Sequence, residues 1–119
     1  MTNLVNNHDA MRKASVFVRD QLAGWLTQGE QGYIYVYDNA YISQPGARPV
    51  SLTLPLQQEP FTSNTLFPFF DGLIPEGWLL DIAEKNWKLN PRDRMGLLLA
   101  CCKDCIGNVR IEPLNAAEL

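Results

Sequence analysis

The chain has 119 residues, of which 46% are hydrophobic and 19% charged, which suits one globular domain and leaves no room for a second. Thirteen Asp and Glu against ten Lys and Arg give a net charge of −3, which argues against direct binding to the phosphate backbone of DNA or RNA. No apolar run approaches the ~20 residues that span a bilayer, and the polar first ten residues lack the pattern of a signal peptide. We therefore expect a cytoplasmic protein.

The sequence predicts one domain with short polar ends. Residues 1–12 are interpreted as a disordered leader, because the segment begins as a polar stretch without periodicity. Residues 13–114 form the predicted domain, and residues 115–119 a short tail.

The first half of the domain is predicted to form strands. Residues 14–18 and 22–26 are rich in apolar, β-branched and aromatic side chains and are separated by Arg19 and Asp20, which predicts a hairpin. Residues 33–37 alternate tyrosines with Ile34 and Val36 and predict a third strand.

Further along, the pattern predicts one more strand and then a loop. Asp38-Asn39 and Pro45-Gly46 are typical of turns, and residues 50–54 alternate apolar and polar side chains before Pro55. We expect residues 50–54 to be a half-buried fourth strand and the polar residues 57–64 to be a loop.

The second half is predicted to be helical before the chain returns as a strand. Residues 66–77 contain two prolines and two glycines among large apolar residues, which predicts one turn of helix followed by a bend. Residues 78–89 have the period of an amphipathic helix. A second helix is expected over residues 91–101, with Asn90 as its cap and Asp93 supporting its first turn. Residues 107–111 predict a fifth strand that ends before Pro113.

These elements define the fold class. Strands first, helices next and one returning strand indicate an α+β protein, with a small antiparallel sheet or partly open barrel of about five strands packed with two helices.

The sequence is poor in groups that could act together in catalysis. The single histidine, His8, lies in the predicted leader, which excludes catalytic arrangements that need a histidine in the domain, and no glycine-rich phosphate loop is present. Asp71 and Glu76 flank a Pro-Glu-Gly bend and are interpreted either as an acid and base pair or as capping residues. We expect no enzymatic activity.

Three cysteines lie close together, at Cys101, Cys102 and Cys105. The odd number does not suit a disulfide framework and fits a reducing compartment. The C-x-x-C spacing of Cys102 and Cys105 is compatible with a metal site, but zinc takes four ligands and the only other soft ligands are Cys101 and His8. A thioredoxin-like pair needs a strand before it and a helix after it, which is the reverse of the predicted order. We expect neither metal nor cofactor.

Aromatic residues are concentrated in the turn-rich segment. Phe67, Phe69, Phe70 and Trp78 lie among prolines and glycines that constrain their directions. Either all four enter the core, or one or two remain outside and form an interaction patch in which tryptophan is a suitable anchor.

Two motif blocks resemble a known family. The first block is F-D-G-L-I-P-E-G at residues 70–77, with Phe69 before it and Trp78 after it. The second block is D-R-x-x-L-L at residues 93–98, followed by D-C-I-G at residues 104–107. Together they resemble the N-terminal subdomain 1 of HipA-type serine/threonine kinase toxins, over residues 13–113. The resemblance implies a small α+β unit that is fused ahead of the kinase core in that family.

The resemblance also implies a function and partners. The kinase elements of the family lie beyond this subdomain and the sequence ends at Leu119, so we expect an antitoxin that neutralises a HipA-like kinase (HipT-like) in a tripartite HipBST toxin–antitoxin system. A HipB-like helix-turn-helix protein is the expected third component. The expected partner-binding residues are Phe69, Phe70, Asp71, Pro75, Glu76, Gly77 and Trp78.

Two other functions remain open from the sequence. The chain is alternatively a regulatory subdomain or fragment of a HipA kinase without independent inhibitory function. A small redox protein is the third possibility, and its activity would depend on Cys102 or Cys105.

Overall fold

The computed structural model describes residues 12–77, 92–101 and 108–114. Its strands form one antiparallel sheet with the order β4-β3-β2-β1-β5. The strands are β1 (Arg12–Val18), β2 (Gln21–Gly29), β3 (Gly32–Tyr37), β4 (Phe61–Ser63) and β5 (Val109–Leu114). The helices are α1 (Asn39–Ile42), α2 (Pro68–Asp71) and α3 (Arg94–Cys101).

The predicted first hairpin is confirmed. β1 pairs with β2 through a two-residue connection, in which Val18 lies opposite Gln21. Arg19 and Asp20 have φ angles of 52° and 66°, and positive φ at both positions is what a type I′ hairpin turn requires. The turn matches the right-handed twist of the strands, although neither residue is a glycine.

The core lies on one face of the sheet, and the alternation of β3 decides which tyrosines enter it. Tyr35 and Tyr37 are buried, whereas Ile34, which directly precedes Tyr35, is 42% exposed on the opposite face. The third predicted strand is therefore confirmed, with its tyrosines facing inward. The other large buried side chains are Leu26, Phe70, Met95, Leu97, Leu98, Ile111 and Val16.

Gly24 allows β2 and β3 to approach closely at the centre of the sheet. It lies opposite Tyr37 in the register. A Cβ atom at this position would lie 2.2 Å from the carbonyl oxygen of Val36, which is backbone and cannot move aside cheaply. Only glycine fits this contact.

The predicted fourth strand is wrong, and a different segment takes its place. Residues 50–54 form a tight turn closed by a single bridge between Ser51 and Leu54. Leu52 is 96% exposed and not half-buried as expected. Within the predicted loop, residues 61–63 form β4, because Phe61 packs against the core while its strand pairs with β3 from Tyr33 to Tyr35.

The last two predicted elements are present with shifted bounds. α3 begins at Arg94 and not at residue 91, because Asp93 precedes it and accepts the backbone N–H of Gly96 at 3.1 Å as an N-cap. β5 continues through Pro113, which an edge strand tolerates since the missing N–H need not pair on its free side. The helix predicted for residues 78–89 lies outside the described residues.

The fold class is confirmed as α+β. The described strands form an open antiparallel sheet, the first of the two expected forms, with five strands as predicted. The short helices α1 and α2, together with α3, supply the other side of the core.

Candidate partner-binding surface

The segment from Phe67 to Ile74 is fixed to the core by its aromatic and aliphatic side chains. α2 begins at Pro68, a residue suited to the first helical position. Phe67, Phe70 and Ile74 are buried. The Phe70 ring lies 5.6 Å from the Tyr35 ring centroid. Edge contacts add Phe67 and Phe69 to this cluster.

Of the three described phenylalanines in this segment, two are therefore core residues. Phe70 is 0% exposed, so it supports the segment from below and presents no surface to a partner in this conformation. Phe69 is half-buried and packs against Phe70 with a centroid distance of 5.2 Å. Phe67 and Phe70 thus enter the core, whereas Phe69 keeps part of its ring exposed.

The expected partner-binding residues that remain accessible follow the buried ones. Backbone hydrogen bonds continue as far as the N–H of Ile74, which donates to the carbonyl of Asp71 at 3.2 Å. Pro75, Glu76 and Gly77 are then exposed. Trp78 lies outside the described residues. The structure thus presents residues 75–77 at the surface directly after an anchored segment.

An ion pair connects this segment to α3. The Arg94 Nε donates to Asp71 Oδ1 at 2.6 Å, and this contact raises the pKa of Arg94. Asp71 belongs to the first motif block and Arg94 to the second, so the ion pair joins the two blocks in the folded chain. Asp71 is thus used structurally, which favours a structural role for it over an acid and base pair with Glu76.

A second ion pair lies at the start of β1. The Arg12 guanidinium donates to both carboxylate oxygens of Asp93, at 3.0 and 2.5 Å. It also donates to Gln28, whose amide donates to the Tyr33 hydroxyl at 3.2 Å. The hydrogen bond from Arg12 lowers the pKa of Asp93, while burial is the main cause of the raised pKa of Tyr33. The network ties β1, β2 and β3 to the start of α3.

We expect Asp93→Asn to reduce the dependence of stability on acid pH. The pKa of Asp93 is lowered from 3.8, so its contribution is present above that value and is lost as pH falls through the lower folded pKa. Asparagine keeps the N-cap but not the charge. Thermal unfolding at pH 7 should show a lower Tm for the variant, and the difference from wild type should shrink towards about pH 2.

The matched control is Asp20→Asn. The Asp20 carboxylate pairs with Arg110 at 2.6 Å, but its side chain is 87% exposed. Its removal should leave the curve of Tm against pH close to that of wild type. A gap between wild type and Asp93→Asn that persists unchanged at pH 2 would contradict the assigned role of the Arg12–Asp93 pair.

Sequence reasoning missed Arg12, Gln28 and Tyr33. Arg12 was placed in the leader, although it is the first residue of β1 and binds Asp93. The only available signal was the opposite charge of two residues far apart in the chain. Such a pairing becomes visible only when the strand and the helix are brought together.

Other chemical sites find little support among the described residues. They contain no group of three or more His, Cys, Asp or Glu that could hold a metal ion. Cys101 is half-buried and burial raises the pKa of its thiol, which does not favour a reactive thiolate. His8, Cys102 and Cys105 lie outside these residues.

A groove of about 790 Å³ lies at the tip of the β2–β3 hairpin. It is lined mainly by small and polar residues of the hairpin and of β4, and Glu30 and Tyr33 are its only titratable groups.

In the described part of the chain, no helix is long and apolar enough to cross a membrane.

The fold is a small α+β domain in which an anchored segment ends in the exposed residues 75–77. Comparison with known proteins identifies the family. The model of the HipA N-terminal domain family matches residues 14–112, and the chain belongs to that family.

Individual relatives show the same domain in two settings. An uncharacterized protein of Haemophilus influenzae is 33% identical over 104 residues, which cover 87% of this chain and 94% of that protein. A putative kinase, Y4mE of Sinorhizobium fredii, is 28% identical over 115 residues, which cover 92% of this chain but only 27% of the kinase. The solved N-terminal domain of HipA toxin superimposes with a TM-score of 0.70 at 30% identity, covering 87% of this chain and 93% of that one.

Proposed function

We propose that the chain is an antitoxin that binds and neutralises a cognate HipA-like serine/threonine kinase toxin. The observation that carries this proposal is the double occurrence of the domain, as about a quarter of a putative kinase and as nearly all of another relative. A domain that packs against a kinase body when fused to it has a surface suited to bind such a body as a separate protein. The role corresponds to that of HipS, the small free-standing component of tripartite HipBST systems, beside a HipT-like kinase.

The accessible end of the first motif block is the proposed contact. Phe69 and Asp71 are held by α2 and by the pair with Arg94, and Pro75, Glu76 and Gly77 are exposed beyond them. Trp78 follows directly and is the proposed anchor. Phe70 is left out of the contact because it is buried. The segment would press on the nucleotide site of the kinase or on one of its mobile loops.

The proposal extends to a third component. In a tripartite system of the HipBST type, a HipB-like helix-turn-helix protein binds DNA. A net charge of −3 suits a chain that joins this complex through the kinase and not through nucleic acid. The match to the N-terminal domain of HipA toxin supports a role in binding a HipA-like kinase.

Co-expression in bacteria tests the proposal. A HipA-like kinase that lacks this domain should arrest growth when expressed alone, and the arrest should be relieved when this chain is expressed with it. Glu76→Lys should weaken the relief because it reverses a charge in the proposed contact. The matched charge reversal Glu30→Lys, at the tip of the β2–β3 hairpin, should keep it. Arrest that continues at full expression of both proteins would contradict the proposal.

A second function is favoured by the match to the putative kinase. Because the domain forms 27% of that protein, it can serve as a regulatory part of a kinase without inhibiting one as a separate chain. This alternative predicts that the purified domain leaves the activity of the kinase unchanged.

A further inference from the structure

The turn at residues 50–54 presents one leucine to solvent. Leu52 lies at its apex and is 96% exposed, whereas Val50 and Leu54 on either side are buried. Single exposed leucines are common on protein surfaces and need no explanation by themselves. This turn differs because several independent contacts hold its backbone in one conformation.

A buried tyrosine closes the base of the turn. The hydroxyl of Tyr37 accepts the backbone N–H of Val50 at 2.9 Å and donates to the carbonyl oxygen of Leu54. Both ends of the turn are therefore tied to the same atom on β3. The Tyr37 ring is itself fixed by stacking on Tyr41, with an interplanar angle of 3°.

Side chains within the turn add to this rigidity. The Ser51 hydroxyl accepts the backbone N–H of Thr53 at 3.2 Å and lies 3.0 Å from the Thr53 hydroxyl. The N–H of Leu54 donates to the carbonyl of Ser51 at 3.0 Å. Pro49 and Pro55 restrict φ on both sides. Leu52 is thus held outward before any partner binds, which lowers the entropic cost of association.

We propose that Leu52 inserts into an apolar pocket on the body of the partner kinase, as a second contact besides the segment that ends at Trp78. This inference rests on the proposed function. The choice of partner follows from the putative kinase Y4mE, in which the matched region is only 27% of the protein. The rest of that chain is covalently joined to the domain and offers a surface against which an exposed apolar side chain can pack. A rigid turn with a leucine at its apex requires an apolar pocket of about the size of one side chain.

Binding to a purified HipA-like kinase that lacks this domain tests the inference. Leu52→Ser should weaken the affinity about 10- to 100-fold, the equivalent of losing one buried leucine side chain. Leu52→Met should stay closer to wild type because its volume is similar. The Tm of both variants should equal that of wild type, since Leu52 makes no buried contact.

The matched control is Ile34→Ser. Ile34 is the other exposed large apolar residue of the described chain, at 42%, and lies on the outer face of β3. The Ile34→Ser variant should bind the kinase with wild-type affinity. The role of Leu52 is wrong if the wild type and Leu52→Ser bind the kinase equally well. It is also wrong if Leu52→Ser and Ile34→Ser lose affinity equally. In both cases the proposed function stands, because the wild type binds. If wild type does not bind the kinase, both the proposed function and this inference fail.

Discussion

Tyr37→Phe is expected to destabilise the domain by about 2–4 kcal/mol, because it leaves two buried backbone groups without their hydrogen-bond partner. The groups are the N–H of Val50 and the carbonyl of Leu54, which the hydroxyl joins. Phenylalanine keeps the ring contacts with Tyr35, Tyr41 and Phe61. Thermal unfolding should therefore show a Tm about 8–15 °C below wild type.

Tyr35→Phe provides the control on the same strand. The Tyr35 hydroxyl is buried and has no hydrogen-bond partner in the described part of the chain, and burial raises its pKa. Removing it deletes an unpaired polar atom, so the Tm should stay the same or rise. Two changes of identical chemistry, two residues apart, should thus have opposite or very unequal effects. Equal losses of Tm would show that the surroundings of the rings, and not the hydrogen bonds from the Tyr37 hydroxyl to the turn, determine the stability.

Trp78→Ala is expected to weaken binding to the cognate kinase by roughly 30- to 1,000-fold, as truncation of an interface tryptophan costs ~2–4 kcal/mol. The reason is its position directly after the exposed residues 75–77, at the end of a segment anchored by Ile74 and the Asp71–Arg94 pair. Affinity should be measured by titration calorimetry with the purified proteins, and the Tm of each variant beside it.

The control for this change is Trp25→Phe. Trp25 lies in β2 on the outer face of the sheet, with the Lys13 ammonium 5.8 Å from its ring, and should not contribute to the affinity. A Trp78→Ala variant that binds like wild type at unchanged Tm would exclude the anchor. A large fall in Tm with little change in affinity would instead place Trp78 in the core.

The strands were predictable where a local pattern controls them. The period of two in β1 to β3 reflects a half-buried sheet, and the hairpin at Arg19 needs only a two-residue connection. The same alternation led to the wrong prediction of a strand at residues 50–54, because the side chains of a tight turn also alternate between the core and solvent. Its closure depends on Tyr37, 13 and 17 residues away, which no local window contains. β4 has only three residues and is fixed by pairing with β3.

The candidate surface was predictable as a motif but not as a structure. The two blocks were visible in the sequence, yet the Arg94–Asp71 and Arg12–Asp93 pairs join residues 23 and 81 positions apart. Residues of the same motif block also differ in burial, since Phe70 lies in the core and Glu76 is exposed. Leu52 was missed because its turn was interpreted as a strand.

The central claim is that this chain acts by binding a HipA-like kinase. The most direct test mixes the purified chain with a purified kinase that lacks this domain, and measures complex formation and phosphorylation activity in the same titration. We predict a one-to-one complex with a Kd below about 1 μM and kinase activity that falls in proportion to the complex formed. A kinase that remains fully active at saturating chain, or that forms no complex with it, would contradict the account.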